Sequence, residues 1–311
     1  MTLRILPATR NWKRPTSRSF DRTTLPKGAG PKRKIVSRFS MATERWGRTC
    51  AAICRMAAFA LLSQPVHADE TSDLAQLVQN PIAKVISLPF QNNLNFGVGP
   101  NSDAQDVLNI QPVLPFNVGT DWNLIARAII PVIHDPMLGP GTANTNGLGD
   151  TSLALYLSPA HPDGVIWGIG PAFTFPTASQ RELGQGKFDA GISAVALTIR
   201  GPWLVGALIT DVASVSGQSG RANVHQMLLQ PFVNYNFPGG WYLASSPMIT
   251  SNWEAKESQR WTVPLGGGGG RAFRVGSQAM NVQMQVFRNI TKPTDAGDWT
   301  LRLQFQLLFP K

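Results

Sequence analysis

Residues Trp299–Phe309 read WTLRLQFQLLF. Side chains alternate along an extended chain, so Leu301, Leu303, Phe305, Leu307 and Phe309 share one face, and Arg302, Gln304 and Gln306 share the other. The stretch is a strand with an oily face and a polar face. In a soluble sheet the oily face turns inward; in a barrel set in lipid it turns outward and the polar face lines the lumen. Alternation does not choose between the two, so the decision rests on the rest of the chain.

Upstream the chain reads as strands separated by turn chemistry. Strands are predicted near 84–98, 105–116, 121–133, 148–158, 164–176, 187–199, 203–213, 223–236, 240–253, 260–274, 278–290 and 299–309, twelve in all. Most reach the 9–11 residues or so that cross a bilayer when tilted. In the first strand Ile86, Leu88, Phe90, Leu94, Phe96 and Val98 are expected on one face. In the eighth, Met227, Leu229, Val233 and Tyr235 oppose Gln226, Gln230 and Asn234. In the eleventh, Met280, Val282, Met284 and Val286 oppose Asn281, Gln283 and Gln285. The third, sixth and seventh strands are oily on both faces, which leaves their registers open.

The connections alternate in length. Residues 117–120, 159–163, 200–202, 237–239 and 275–277 are tight turns of Pro, Gly and Asx, whereas 99–104, 134–147, 177–186, 214–222, 254–259 and 291–298 are longer and carry most of the charge. Short turns at one end, longer loops at the other and an even strand count describe an up-and-down outer-membrane barrel. Trp122, Trp167, Trp203, Trp241, Trp261 and Trp299 fall near strand starts and Trp253 near an end, where indoles meet lipid headgroups. A soluble β-sandwich would also bury Trp, but it explains neither the loop alternation nor the amide-rich faces. No uninterrupted apolar run is long enough for a transmembrane helix, so a membrane location would be by barrel.

The net charge of +10 would suggest a nucleic-acid partner if it were spread over the fold. Residues 1–68 hold 14 Lys/Arg and 2 Asp/Glu, which leaves 14 against 16 for residues 69–311. The basic signal belongs to a leader, and no nucleic-acid partner is expected. Residues 1–40 lack hydrophobic periodicity and read as a disordered basic extension upstream of Met41, the more plausible start. Residues 41–68 read as a signal peptide, with the short apolar run Met56–Leu62 after Arg45, Arg48 and Arg55 and cleavage after Ala68. A mitochondrial transit peptide or nucleic-acid-binding arm is the competing reading. Both cysteines, Cys50 and Cys54, lie in this leader, so no disulfide or thiolate site is expected beyond it. Residues 69–82 are expected to form a short periplasmic N-terminal segment, with a helical turn over Asp73–Gln79 that sits in the periplasm or reaches into the lumen. The barrel is assigned to 83–311.

The stretches LVQNPIAKVISLPFQNNLNFGVGP, DVLNIQPVLPF, WNLIARAIIPVI, QPFVNYNFPGGWYLASSPMITSNW and RWTVPLGGGGGRAF, with the final LRLQFQLLFPK, resemble the outer-membrane barrel family linked to the meta-pathway of phenol degradation. Its members are generally labelled putative transporters, some under the name neuromedin U. The last strand also resembles the C-terminal targeting strand of Gram-negative barrels, except that Pro310 and Lys311 follow Phe309. The resemblance implies export through the periplasm, insertion by the barrel-assembly machinery and passage of small, often aromatic or apolar, compounds. It supplies no functional residues to transfer.

The remaining motifs are weak. Gly266–Gly270 is followed by RAFRVG, which begins no helix, so the run reads as a bend or close approach inside a strand rather than a nucleotide loop. His134, His161 and His225 have no metal-ligand spacing, and no metal or cofactor is expected. There is no GxSxG and no paired carboxylate on one strand face, so no enzyme is expected; an outer-membrane hydrolase stays as the lesser alternative and a structural or adhesive barrel as the main one. The lumen-lining candidates are Gln226, Gln230, Asn234, Asn281, Gln283, Gln285, Arg302, Gln304, Gln306 and Arg127. Such a lumen is expected to discriminate poorly between anions and cations and to suit small neutral or weakly polar solutes.

Overall fold

The computed structural model describes residues 68–136 and 144–309. The expectations for residues 1–40 and, apart from Ala68, for a signal peptide over 41–68 lie outside the described residues. So do the middle of the loop at 134–147 and the final Pro310 and Lys311.

A helix, α1 (Ala68–Gln79), precedes fifteen strands: β1 (Ile86–Val98), β2 (Asp103–Ile110), β3 (Val113–Val118), β4 (Trp122–Asp135), β5 (Thr145–Leu148), β6 (Thr151–Pro159), β7 (Val165–Phe175), β8 (Lys187–Arg200), β9 (Trp203–Gly217), β10 (His225–Asn236), β11 (Trp241–Ser245), β12 (Ile249–Asn252), β13 (Trp261–Val275), β14 (Gln278–Thr291) and β15 (Trp299–Phe309). Three pairs, β2/β3, β5/β6 and β11/β12, are single barrel strands interrupted once, so the wall has twelve. Every neighbouring pair is antiparallel, β1 pairs with β15, and β9 pairs with β10, which closes the ring. A closed ring leaves no edge strand.

The interruptions have local causes. Pro112 and Pro247 have no N–H to give to a ladder. Gly149 and Asp150 form a bulge at which the β4 register shifts between Val132↔Leu148 and Ile129↔Ser152. The Asp150 carboxylate turns aside to accept the backbone N–H groups of Ala178, at 3.1 Å, and Gln185, at 2.5 Å.

The strands present two faces. Exposed apolar side chains such as Leu114, Phe116, Ile169, Val205, Leu243 and Met284 point outward, whereas Gln91, Asn93, Asn95, Asn281, Gln285 and Arg302 are buried inside. Leu301, Leu303, Phe305, Leu307 and Phe309 occupy the outer face of β15. Val98 departs from the expectation: it is 5% exposed and faces inward. Gly97, at φ 78°, is the extra residue of a bulge against β2, and one extra residue reverses the side-chain parity beyond it.

Aromatic side chains ring both ends. At the short-turn end Trp122 meets Trp167 edge-on at 6.1 Å, Trp203 meets Tyr235 at 4.8 Å, and the Arg271 guanidinium lies 5.2 Å from the Trp241 ring centre. At the long-loop end Trp253 meets Trp261 at 5.5 Å and Arg288 covers Trp299 at 5.5 Å.

Candidate functional site

The interior is organised by the N-terminal segment. Leu74, Ala75 and Val78 form one face of α1 and pack inside the barrel against Tyr242, Ala244, Ala272, Ala279 and Leu308. The chain then turns at Asn80, whose Oδ1 accepts the Ile82 N–H at 3.0 Å. Ile82 enters a second cluster with Val113, Ile125, Tyr156, Leu197, Leu208 and Phe232. Polar side chains fasten the helix: Gln79 Nε2 donates to Asn236 Oδ1 at 2.7 Å and Gln76 Nε2 to the Gly201 carbonyl at 3.0 Å. Residues 74–85 thus pack into the lumen at the short-turn end. The helical turn expected over Asp73–Gln79 lies within a helix of 12 residues.

Above this plug lies a cavity of about 120 Å³ whose lining includes Gln230, Asn234, Asn281, Gln283, Gln304, Gln306 and Arg127 together with Gln91 and Gln111. Nearer the long loops is a second cavity, of about 50 Å³, bordered by Asn93, Asn95, Phe287, Thr300 and Arg302. Gln285 stands inward between them, and Gln226 faces inward at the long-loop rim, where its Oε1 accepts from Gln185 Nε2 at 3.2 Å. All ten lumen candidates therefore point into the barrel.

The constriction between the cavities is built from Arg302, Gln285 and the segment joining β11 to β12. The ladder between β10 and this strand stops at Val233↔Ser245 and resumes at Leu229↔Ile249; on the β13 side it stops at Ala244↔Gly268 and resumes at Thr250↔Thr262. Pro231, Pro247 and Pro264 stand on three adjacent strands at this level and remove N–H donors from the wall. Residues 246–248 are held by side chains instead. Arg302 Nη1 donates to the Ser246 carbonyl at 2.8 Å, and Gln285 Oε1 accepts the Ser246 N–H at 3.1 Å. Asn93 Oδ1 accepts from Arg302 Nε at 3.1 Å and orients the guanidinium.

Gly266–Gly270 lets its neighbours approach this part of the wall closely. The run lies inside β13, between β11 and β14, and a Cβ on Gly268 would fall 1.9 Å from the Met284 carbonyl oxygen, one on Gly266 2.0 Å from that of Val286. On Gly270 it would fall 2.4 Å from Tyr242 Oη, the group that donates to Asn281 Oδ1 at 2.7 Å across the bare strand. The expectation of a close approach inside a barrel strand holds, and the Gly270 position shows what approaches.

Polar ladders also cross the wall nearer the long loops. Thr300 Oγ1 donates to Asn95 Oδ1, Asn95 Nδ2 to Gln105 Oε1 and Gln105 Nε2 to Asp135 Oδ1, linking β15, β1, β2 and β4 on the inner face. On the outer face Asn92 Nδ2 donates to Asp106 Oδ1 at 2.8 Å, Asp106 is in register with His134, and His134 Nδ1 meets Asn146 Oδ1. Sequence reasoning missed this outer row; its signal is that Asn92 interrupts the oily face of β1. His225 is likewise no isolated side chain, since its Nε2 lies 2.9 Å from Asp211 Oδ1 while Trp253 Nε1 donates to Asp211 Oδ2 at 3.0 Å.

No protein-family model matches the chain, and no curated protein matches it. Among solved structures, the COG4313 outer membrane channel from Pseudomonas putida F1 superimposes with a TM-score of 0.56 at 16% identity, over 72% of this chain and 94% of that one. Outer membrane phospholipase A from Escherichia coli gives 0.38 at 12% identity over 78% and 98%, and the Pseudomonas putida toluene transporter TodX 0.36 at 8% over 75% and 92%. At these identities the first similarity concerns the fold: this chain is a closed, twelve-stranded antiparallel β-barrel of the form found in an outer-membrane channel.

Proposed function

We propose that this protein is a Gram-negative outer-membrane channel for passive passage of small neutral or weakly polar compounds, aromatic ones among them. The observation that carries the reading is the combination of an amide-lined interior enclosing two cavities with an apolar outer face bounded by two aromatic girdles. Such an outer face suits only a bilayer. The same reading places the short turns and both ends of the barrel in the periplasm, with the barrel-assembly machinery as the inserting partner. The resemblance to the phenol-pathway barrels favours aromatic cargo. Because α1 fills the periplasmic end, passage requires that segment to shift. Planar-bilayer conductance and liposome swelling with the refolded chain test the proposal. Solute-dependent swelling supports it, whereas an intact, heat-modifiable barrel without conductance or swelling overturns it in favour of a structural or adhesive barrel.

A further inference from the structure

Arg302 is 4% exposed, and its hydrogen bonds all go to neutral acceptors: Asn93 Oδ1 at 3.1 Å, the Ser246 carbonyl at 2.8 Å and Ser246 Oγ at 3.4 Å. The Phe287 ring lies beside it, 4.8 Å from Cζ to the ring centre. Among the described residues no carboxylate comes within 4.0 Å of its guanidinium. Arg127, the other charged candidate on the lumen wall, also meets a neutral acceptor, Gln111 Oε1, at 2.8 Å. Neither guanidinium has a carboxylate partner among the described residues; the inward-facing carboxylates Asp135 and Asp189 stand on β4 and β8, toward the long loops. Buried charges are normally paired, because dipoles only partly replace the lost hydration.

The Arg302 guanidinium borders the cavity of about 50 Å³, and its Nη2 takes part in none of the bonds above. That volume exceeds the roughly 10–15 Å³ that admits a water and falls well below the roughly 150 Å³ that takes a benzene ring. The space suits a small polar headgroup. A carboxylate oxygen can accept a charge-assisted hydrogen bond from Nη2, and Asn93 on the same wall carries an amide NH2 group as a second donor.

We propose that this cavity is a binding site for a small monocarboxylate anion, held on Arg302 at the constriction between the two lumen compartments. The proposal changes the cargo of the channel reading from neutral or weakly polar compounds to small compounds bearing a carboxylate, and it replaces the charge-indifferent lumen expected from the amides with an anion-preferring one. Only its transport consequence rests on the channel reading; the binding site does not.

The test uses the refolded full chain in detergent, with sodium acetate and neutral acetamide as probes at constant ionic strength. Acetate well above its Kd is expected to raise the thermal midpoint by about 2–4 °C, and acetamide to leave it unchanged. Arg302→Lys should retain a weaker response and Arg302→Gln none. Equal responses to acetate and acetamide overturn the site without any variant, as does an undiminished acetate response in Arg302→Gln. In planar bilayers under a salt gradient, the reversal potential should report anion over cation preference, reduced at least threefold in Arg302→Gln. Absence of current in every salt together with Arg302-dependent acetate stabilisation removes the channel reading and leaves the anion site standing. Cation preference in the intact protein removes the anion-preferring lumen.

Discussion

Arg302 Nη1 donates to the backbone carbonyl of Ser246 at 2.8 Å, tying the last strand of the barrel to a segment three strands away. That segment has no ladder partner on either side, so Arg302 and Gln285 hold what the wall does not.

Gln285→Ala should release it. The Ser246 N–H and hydroxyl would lose their partner on Gln285, at a cost of about 1–3 kcal/mol if they stay buried. The expected result is a lower thermal midpoint together with higher single-channel conductance. A lower midpoint with unchanged conductance would mark the constriction as packing rather than a gate.

Replacing Gln230, Gln285 and Gln304 together with Ala separates a path from a filled interior. A path predicts altered uptake of a small phenolic solute by whole cells with a moderate loss of stability. A packed amide network predicts a marked loss of heat stability and no change in permeability.

Gly268→Ala and Gly270→Ala should each destabilise the barrel, because the added Cβ meets the Met284 carbonyl oxygen at 1.9 Å in the first and Tyr242 Oη at 2.4 Å in the second. Overpacking of this kind costs about 1–3 kcal/mol. Gly220→Ala is the control, since nothing lies within 4 Å of its Cβ position. Comparison of urea or heat midpoints reads the difference.

Leu74→Glu with Val78→Glu should eject α1, because both side chains are buried against the barrel wall and burial of each contributes about 1.5–3 kcal/mol. Conductance should rise while heat-modifiable migration is retained. Unchanged conductance would show that the helix does not close the lumen.

Phe305→Lys with Phe309→Lys should abolish outer-membrane insertion. A Lys on the lipid face costs about 2–4 kcal/mol near the midplane and less toward the interface, and β15 is the strand that closes the ring on β1. Normal heat-modifiable migration of the double variant in outer-membrane fractions would refute the assignment of this face to lipid.

Twelve barrel strands, the two faces of those that alternate cleanly and the alternation of short and long connections were legible in the sequence, since a period of two and the chemistry of Pro, Gly and Asx turns are properties of neighbouring residues; the third, sixth and seventh strands, oily on both faces, were not assigned a register that way. The amides of β10, β14 and β15 could be assigned to the lumen for the same reason. What depends on which strands become neighbours was not legible. Nothing along the chain says that Ser246 meets Arg302, that Tyr242 reaches Asn281 over a strand of bare glycines, or that Leu74 and Val78 find their partners inside the ring. Val98 shows the limit in one residue: a single bulge at Gly97 reverses its face, and the register of the adjacent strand, not the pattern of β1, decides where that bulge falls. Local alternation determined the wall; ring closure, which brings residues some 200 positions apart into one layer, as Asn93 and Arg302 are, decided what the wall encloses.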